Sequence, residues 1–238
     1  MKDKLIVALD YSAKEPVEKL VTSLADSVSY YKVGMELYYS VGESVIHYLK
    51  EHNKNVFLDL KLYDIPNTVA KGLSALTRLG ADMMNVHASG GSLMMQKAAE
   101  AVTEEATRLG IVRPKVIAVT ILTSMSQEQW GEMGHNSEIR DQVVRLALLA
   151  KESGMDGVVA SPQEASAIRS VCGDDFLIVT PGVRPVGAAV NDQSRIATPA
   201  SALRQGSTHL VVGRPITAAA DGQAAAKAII EEMEGAFK

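Results

Sequence analysis

The sequence predicts a (β/α)8 barrel. Three observations carry that expectation. Eight short apolar runs alternate with amphipathic stretches of helical period, helix start and stop signals fall at the boundaries, and long irregular segments follow the fifth and seventh runs. The 238 residues match the length of such a barrel, and no composition shift or Pro/Gly/Ser linker divides them, so residues 1–238 read as one domain. A doubly wound open sheet is the structural alternative.

The elements follow in order. LIVALD (5–10) leads into a stretch where Val17, Leu20, Val21, Leu24 and Val28 keep helical spacing. YYKVG (30–34), NVFLDLK (55–61), MMNVHA (83–88) and VIAVTIL (116–122) are the next four strand candidates. Residues 123–137 then read as irregular, before Ile139, Val143, Leu146 and Ala150 mark another helical face. GVVAS (157–161) runs into Ser161-Pro162-Gln163-Glu164, an N-cap serine, a first-turn proline and a glutamate at the third helical position. FLIVTPG (176–182) precedes the second irregular stretch, 183–197, and Thr198-Pro199 repeats the start signal. HLVVGR (209–214) is the eighth run, and Ala225, Ile229 and Met233 form the last helical face. Glycines such as Gly110 and Gly173 follow helical patterns, as left-handed C-terminal caps do.

Composition narrows the function classes. A hydrophobic fraction of 47% with 22% charged residues is ordinary for a soluble domain with a sizeable core. A net charge of −4 with no block of like charges argues against nucleic acid as a partner. Cys172 is the only cysteine, which excludes an intrachain disulfide, and no His/Cys cluster has metal-ligand spacing. The apolar run near the N-terminus is broken by Asp10, too short for a signal peptide, and no segment has the roughly 20 apolar residues of a membrane span. A cytoplasmic protein without a membrane partner is the expectation.

Polar residues inside barrel strands are informative, because such strands are buried on both faces. Residues 57–69 read FLDLKLYDIPNTV. Leu58, Leu60 and Leu62 point one way, toward helices, while Asp59 and Lys61 share the axis-facing side. Asp64 lies three residues on, before Pro66. Asp10 ends the first strand, Lys32 sits in the second, His87 is near the end of the fourth and Thr123 follows the fifth. In a barrel all of these converge on one rim, where Lys32, Asp59, Lys61 and Asp64 can alternate in sign so that pairing makes burial tolerable. A solvated rim or packing ion pair is the plainer reading of any one of them. His87 alone reads as a hydrogen-bonded structural histidine, Cys172 as a core residue, and Met83, Met84, Met94 and Met95 as packing.

A second constellation lies at the other end of the chain. TPGVRP (180–185) and VVGRPI (211–216) fall after the seventh and eighth strands, where barrels often bind phosphate. Gly182 and Gly213 would let the backbone approach an anion, and Arg184 and Arg214 would supply forked donors. The alternative is that Gly-Arg-Pro only makes a turn.

Taken together, DLKLYDIPNTV, TPGVRP and VVGRPI resemble the bacterial-type orotidine 5′-monophosphate decarboxylases, and the match spans LIVALD to VVGRPI. The resemblance implies a (β/α)8 homodimer with no metal and no organic cofactor, converting orotidine 5′-monophosphate (OMP) to uridine 5′-monophosphate (UMP) and carbon dioxide. Lys61 then resembles the proton donor, Asp59 and Asp64 the carboxylates around it, and Lys32 the other lysine of the array. Asp64, Ile65 and Thr68 would reach into the partner subunit's site. Asp10 and Lys32 match ribose-binding positions, and Thr123 the position that contacts the pyrimidine. Gln193 matches a glutamine bridging base and phosphate. Arg184, Gly213 and Arg214 match phosphate-side positions, and Pro181 counts with the substrate-binding residues.

Two rival readings remain at this stage. Magnesium-dependent sugar-phosphate decarboxylases and aldolases share D-x-K-x-x-D, but carry an acid at the position of Lys32, where an ammonium opposes a divalent cation. A non-catalytic phospholigand sensor would need the arginines and glycines but no lysine among aspartates.

Overall fold

The computed structural model describes residues 1–185 and 197–237. The eight apolar runs form eight parallel strands: β1 (Leu5–Leu9), β2 (Tyr30–Gly34), β3 (Asn55–Leu62), β4 (Met83–His87), β5 (Lys115–Val119), β6 (Gly157–Val159), β7 (Leu177–Thr180) and β8 (His209–Val212). They pair in sequence order, and β8 returns to β1 through Leu5↔Leu210 and Val7↔Val212, so the sheet is a closed barrel and not an open one. Between the strands run α1 (Lys14–Leu24), α2 (Met35–Val41), α3 (Ser44–Glu51), α4 (Pro66–Arg78), α5 (Gly91–Leu109), α6 (Gln127–Glu132), α7 (Ile139–Glu152), α8 (Pro162–Cys172), α9 (Pro199–Arg204), α10 (Arg214–Thr217) and α11 (Gly222–Glu234).

Strand alternation divides the core in two. Leu5, Val7, Val33, Leu58, Met84, Val116 and Ile178 face outward and pack against the helices. Ile6, Ala8, Tyr30, Phe57, Met83, Ile117, Val179 and Val211 form a smaller cluster inside the barrel. Near the start of the strands Tyr30 meets the His209 ring edge-on at 6.4 Å, and burial, with Lys4 nearby, pushes the His209 imidazole down to about 4. That end of the barrel is filled by side chains. Asp10, Lys32, Asp59 and Lys61 sit toward the other end.

Helix faces and caps follow the sequence pattern with small departures. α1 buries Val17, Val21 and Leu24, and α7 buries Ile139, Val143, Leu146 and Ala150. α11 buries Ala226, Ile229 and Met233, so its face begins one residue after the expected Ala225. The Ser161 side chain accepts from Gln163 N, and that of Thr198 from Ser201 N. Cys172 and the four singled-out methionines are buried as packing residues. The stretch 123–137 departs further from expectation, because it contains α6. Ser126 and Gln129 form a reciprocal capping box there, and Trp130 stacks on His135 at 3.6 Å. Among the described residues, no helix is long and apolar enough to cross a membrane.

Strands β6 and β7 come together where Gly157 pairs with Leu177. A Cβ on Gly157 would lie 2.3 Å from Leu177 O and 2.4 Å from Leu177 Cβ. Backbone would have to move to admit it. Gly157→Ala should therefore destabilise the fold by about 3 kcal/mol, the upper end for overpacking, read as a lower urea midpoint at unchanged slope.

Candidate active site

The C-terminal ends of β1, β2 and β3 bring four charged side chains into contact. Lys32 Nζ lies 3.2 Å from Asp10 Oδ1 and 3.4 Å from Asp59 Oδ2. Lys61 Nζ donates to Asp59 Oδ1 at 2.7 Å. The result is a chain of alternating sign, Asp10–Lys32–Asp59–Lys61. Asp10 is the wet end, with its side chain 64% exposed, while those of Lys32 and Asp59 are each 13% exposed. Burial alone would raise the Asp59 carboxyl. The ammoniums of Lys32 and Lys61, with hydrogen bonds from Lys61 and Asn85, outweigh it and hold that carboxyl below the usual carboxylate range.

Two residues that the sequence reading passed over make this arrangement possible. Gly34 stands opposite Asp59 in the β2–β3 register. A Cβ there would lie 3.0 Å from Lys32 Nζ, so glycine leaves the ammonium its place. Asn85, fully buried on the axis side of β4 between Met83 and His87, donates from Nδ2 to Asp59 Oδ1 at 2.7 Å. Its Oδ1 accepts from the backbone N–H of Lys61 at 2.8 Å. The available signal was one polar residue at an inward position of an otherwise apolar strand.

The β3 backbone is irregular at Lys61. Leu58 pairs with Met84 and Leu62 with Val86, so β3 spends two more residues than β4 over that span. Within this bulge Lys61 has φ +53°, a left-handed conformation that costs a non-glycine residue about 1–3 kcal/mol. Leu58, Leu60 and Leu62 still pack outward as expected.

A cavity of about 230 Å³ opens beside the charged chain. Lys32, Asp59, Lys61 and Thr123 supply its polar wall, and Pro181 stands at the end of β7. Its floor is apolar: Phe57, Val119, Val159, Val179 and Val211 come from five different strands. His87, half-buried, sits near Lys61 with its ring 5.6 Å from that of Tyr63. Burial and the Lys61 charge lower its pKa.

The remaining candidate residues lie elsewhere on the rim. Asp64, Ile65 and Thr68 are exposed, and the Asp64 carboxylate accepts from Ile65 N at 2.6 Å. Among the described residues of one chain Asp64 forms no ion pair, so the four-member network that sequence allowed contains Asp10 in its place. Arg184 is buried; its backbone N–H donates to Ala197 O at 3.0 Å, beside the Val183–Ala197 bridge. Arg214 is exposed at the head of α10, directly after Gly213. A Cβ on Gly213 would make only ordinary contact, 3.5 Å from Asp10 Oδ2. Packing within the chain does not require glycine there. Gln193 lies outside the described residues. Among the described residues, no group of three or more His, Cys, Asp or Glu side chains could hold a metal ion.

Residues 3–229 match the model of the orotidine 5′-phosphate decarboxylase / HUMPS family. An orotidine 5′-phosphate decarboxylase from Moorella thermoacetica is 54% identical over 234 residues, covering 98% of this chain and 93% of that protein. One from Trichlorobacter lovleyi is 51% identical, covering 98% of this chain and 95% of the relative. The crystal structure of orotidine 5′-phosphate decarboxylase from Lactobacillus acidophilus superposes with a TM-score of 0.87 at 43% identity, covering 97% of this chain and 99% of that one.

Proposed function

The chain belongs to the orotidine 5′-phosphate decarboxylase / HUMPS family, and on that premise we propose that it converts OMP to UMP and carbon dioxide, a step of pyrimidine nucleotide formation, without a metal or organic cofactor. The observation that carries this reading is the Lys61 ammonium, fixed 2.7 Å from Asp59 at the wall of an otherwise apolar cavity.

The chemistry asks for localised charge stabilisation. When the C6–carboxylate bond of the pyrimidine breaks, its electron pair stays on C6 in the ring plane, where delocalisation does not help. An ammonium held close by opposes that charge and then delivers its proton to C6. Lys61 has this role, and Asp59 fixes its position. The apolar floor suits a departing neutral carbon dioxide molecule and keeps the local dielectric low, which strengthens preorganised charge. Lys32, joined to both Asp10 and Asp59, supplies the cation that these carboxylates would otherwise seek in a metal ion.

Phosphate and ribose contacts anchor the substrate. In this reading Asp10 and Lys32 hold the ribose, Thr123 meets the base, and Pro181, Arg184, Gln193, Gly213 and Arg214 serve the base and phosphate. The exposed Arg214, at the head of α10 directly after Gly213, supports that assignment. Asp64, Ile65 and Thr68 complete the site of a second subunit. Their exposure, with Ile65 65% and Tyr63 62% accessible, supports a shared homodimeric site. There Asp64 would stand beside the substrate carboxylate. Two like charges at about 3 Å and an effective dielectric of about 20 repel by roughly 5 kcal/mol. The most demanding enzymes lower barriers by roughly 20 kcal/mol, so repulsion is a fraction and preorganised charge supplies most of the effect.

Three measurements test these statements. Lys61→Ala should abolish the ultraviolet change of OMP consumption while UMP still binds; consumption at the wild-type rate would refute Lys61 as proton donor. Wild-type turnover should persist in excess EDTA, and loss that magnesium restores would establish metal dependence. Mixing inactive Lys61→Ala and Asp64→Asn proteins under subunit exchange should restore up to about a quarter of wild-type activity, because half of the dimers are hybrids and each has one intact site. No recovery, with exchange verified, would refute the shared site.

A further inference from the structure

We infer that Asn85 is a positioning residue for the decarboxylation, setting the place of the Lys61 ammonium from two directions; this rests on the function proposed above. The bulge in β3 removes Lys61 from regular pairing with β4, and the Asn85 amide stands in the gap. Its two contacts have fixed polarity. The backbone N–H of Lys61 can only donate, so it faces Oδ1, and the Asp59 carboxylate accepts from Nδ2. One planar group thereby holds the left-handed backbone of the lysine and the carboxylate that its ammonium grips. The contacts to Asp59 come from both Asn85 and Lys61 at the same oxygen, each at 2.7 Å.

This geometry separates turnover from binding. Asn85 does not line the cavity, whereas Lys32 and Thr123 do. Losing the amide would let Lys61 and Asp59 drift together while the ribose and phosphate contacts stay in place. Misplacing a reacting group by about 1 Å can cost about 100-fold in rate.

The test measures OMP turnover and UMP affinity in wild type, Asn85→Ala and Asn85→Asp. Wild-type turnover is read first; if it is absent, the proposed function fails before Asn85 is judged. With an active wild type, N85A should lose about 100-fold in kcat while UMP affinity changes less than about 3-fold. N85D is close to isosteric and covers the case in which N85A does not fold. Its added carboxyl faces Asp59, with Asp10, Lys32, Lys61 and His87 as the other titratable groups nearby. Ionised, it repels Asp59; protonated, it restores both the donor and the acceptor of the amide. The kcat of N85D relative to wild type should therefore rise as pH falls. A purely structural asparagine would lose kcat and UMP affinity together, and recover them together. Wild-type kcat in N85A, equal losses of kcat and UMP affinity, or an N85D-to-wild-type ratio flat with pH would each overturn the inference.

Discussion

The site depends on keeping one carboxylate charged while most of its surface is hidden from water. Asp59 is close to fully buried, and an isolated carboxyl in that place would take up a proton. Two ammoniums and an amide prevent this, and each comes from a different strand or strand position: Lys32 from β2, Lys61 from β3 and Asn85 from β4. Removing one member of such a buried set leaves its partners uncompensated, a loss of about 3–5 kcal/mol where it has been measured in other proteins. The closed barrel delivers the partners together. It places neighbouring strand ends side by side and aims alternate residues at one axis.

The same alternation places the charges of the candidate site at one end of the axis. Below the site the axis is filled by Ile6, Tyr30, Met83 and their neighbours. Phe57 and four valines form the upper surface of that filling and the floor of the cavity. Charges on the wall therefore act across a poorly screened space, where each is worth more than it would be in water. Stability and reactivity meet at this layer.

Much of this was legible in the sequence, and the failures have physical causes. All eight strands were readable because barrel strands are continuous apolar runs, and Asp59, Lys61 and Lys32 stood out against them. Asn85 did not stand out, since a single amide in MMNVHA carries no charge pattern. Gly34 matters through the space it leaves at the amine of Lys32, two residues back on the same strand, and no spacing rule marks that. The helix α6 was hidden by its shortness, although Ser126 and Gln129 carried its cap. The bulge at Lys61 was invisible because a period of two predicts the correct faces on either side of it.

The size of that bulge has a consequence of its own. An insertion of one residue would turn Leu62, the last residue of β3, from the outer face toward the axis. Two extra residues conserve parity: Leu58 and Leu62 keep the outer face. The chain can thus give one residue an unusual backbone without disturbing the layers around it. Length at this point of β3 should change in even steps if it changes at all. The segment behaves as a counted interval, in which the number of residues matters as much as their identity.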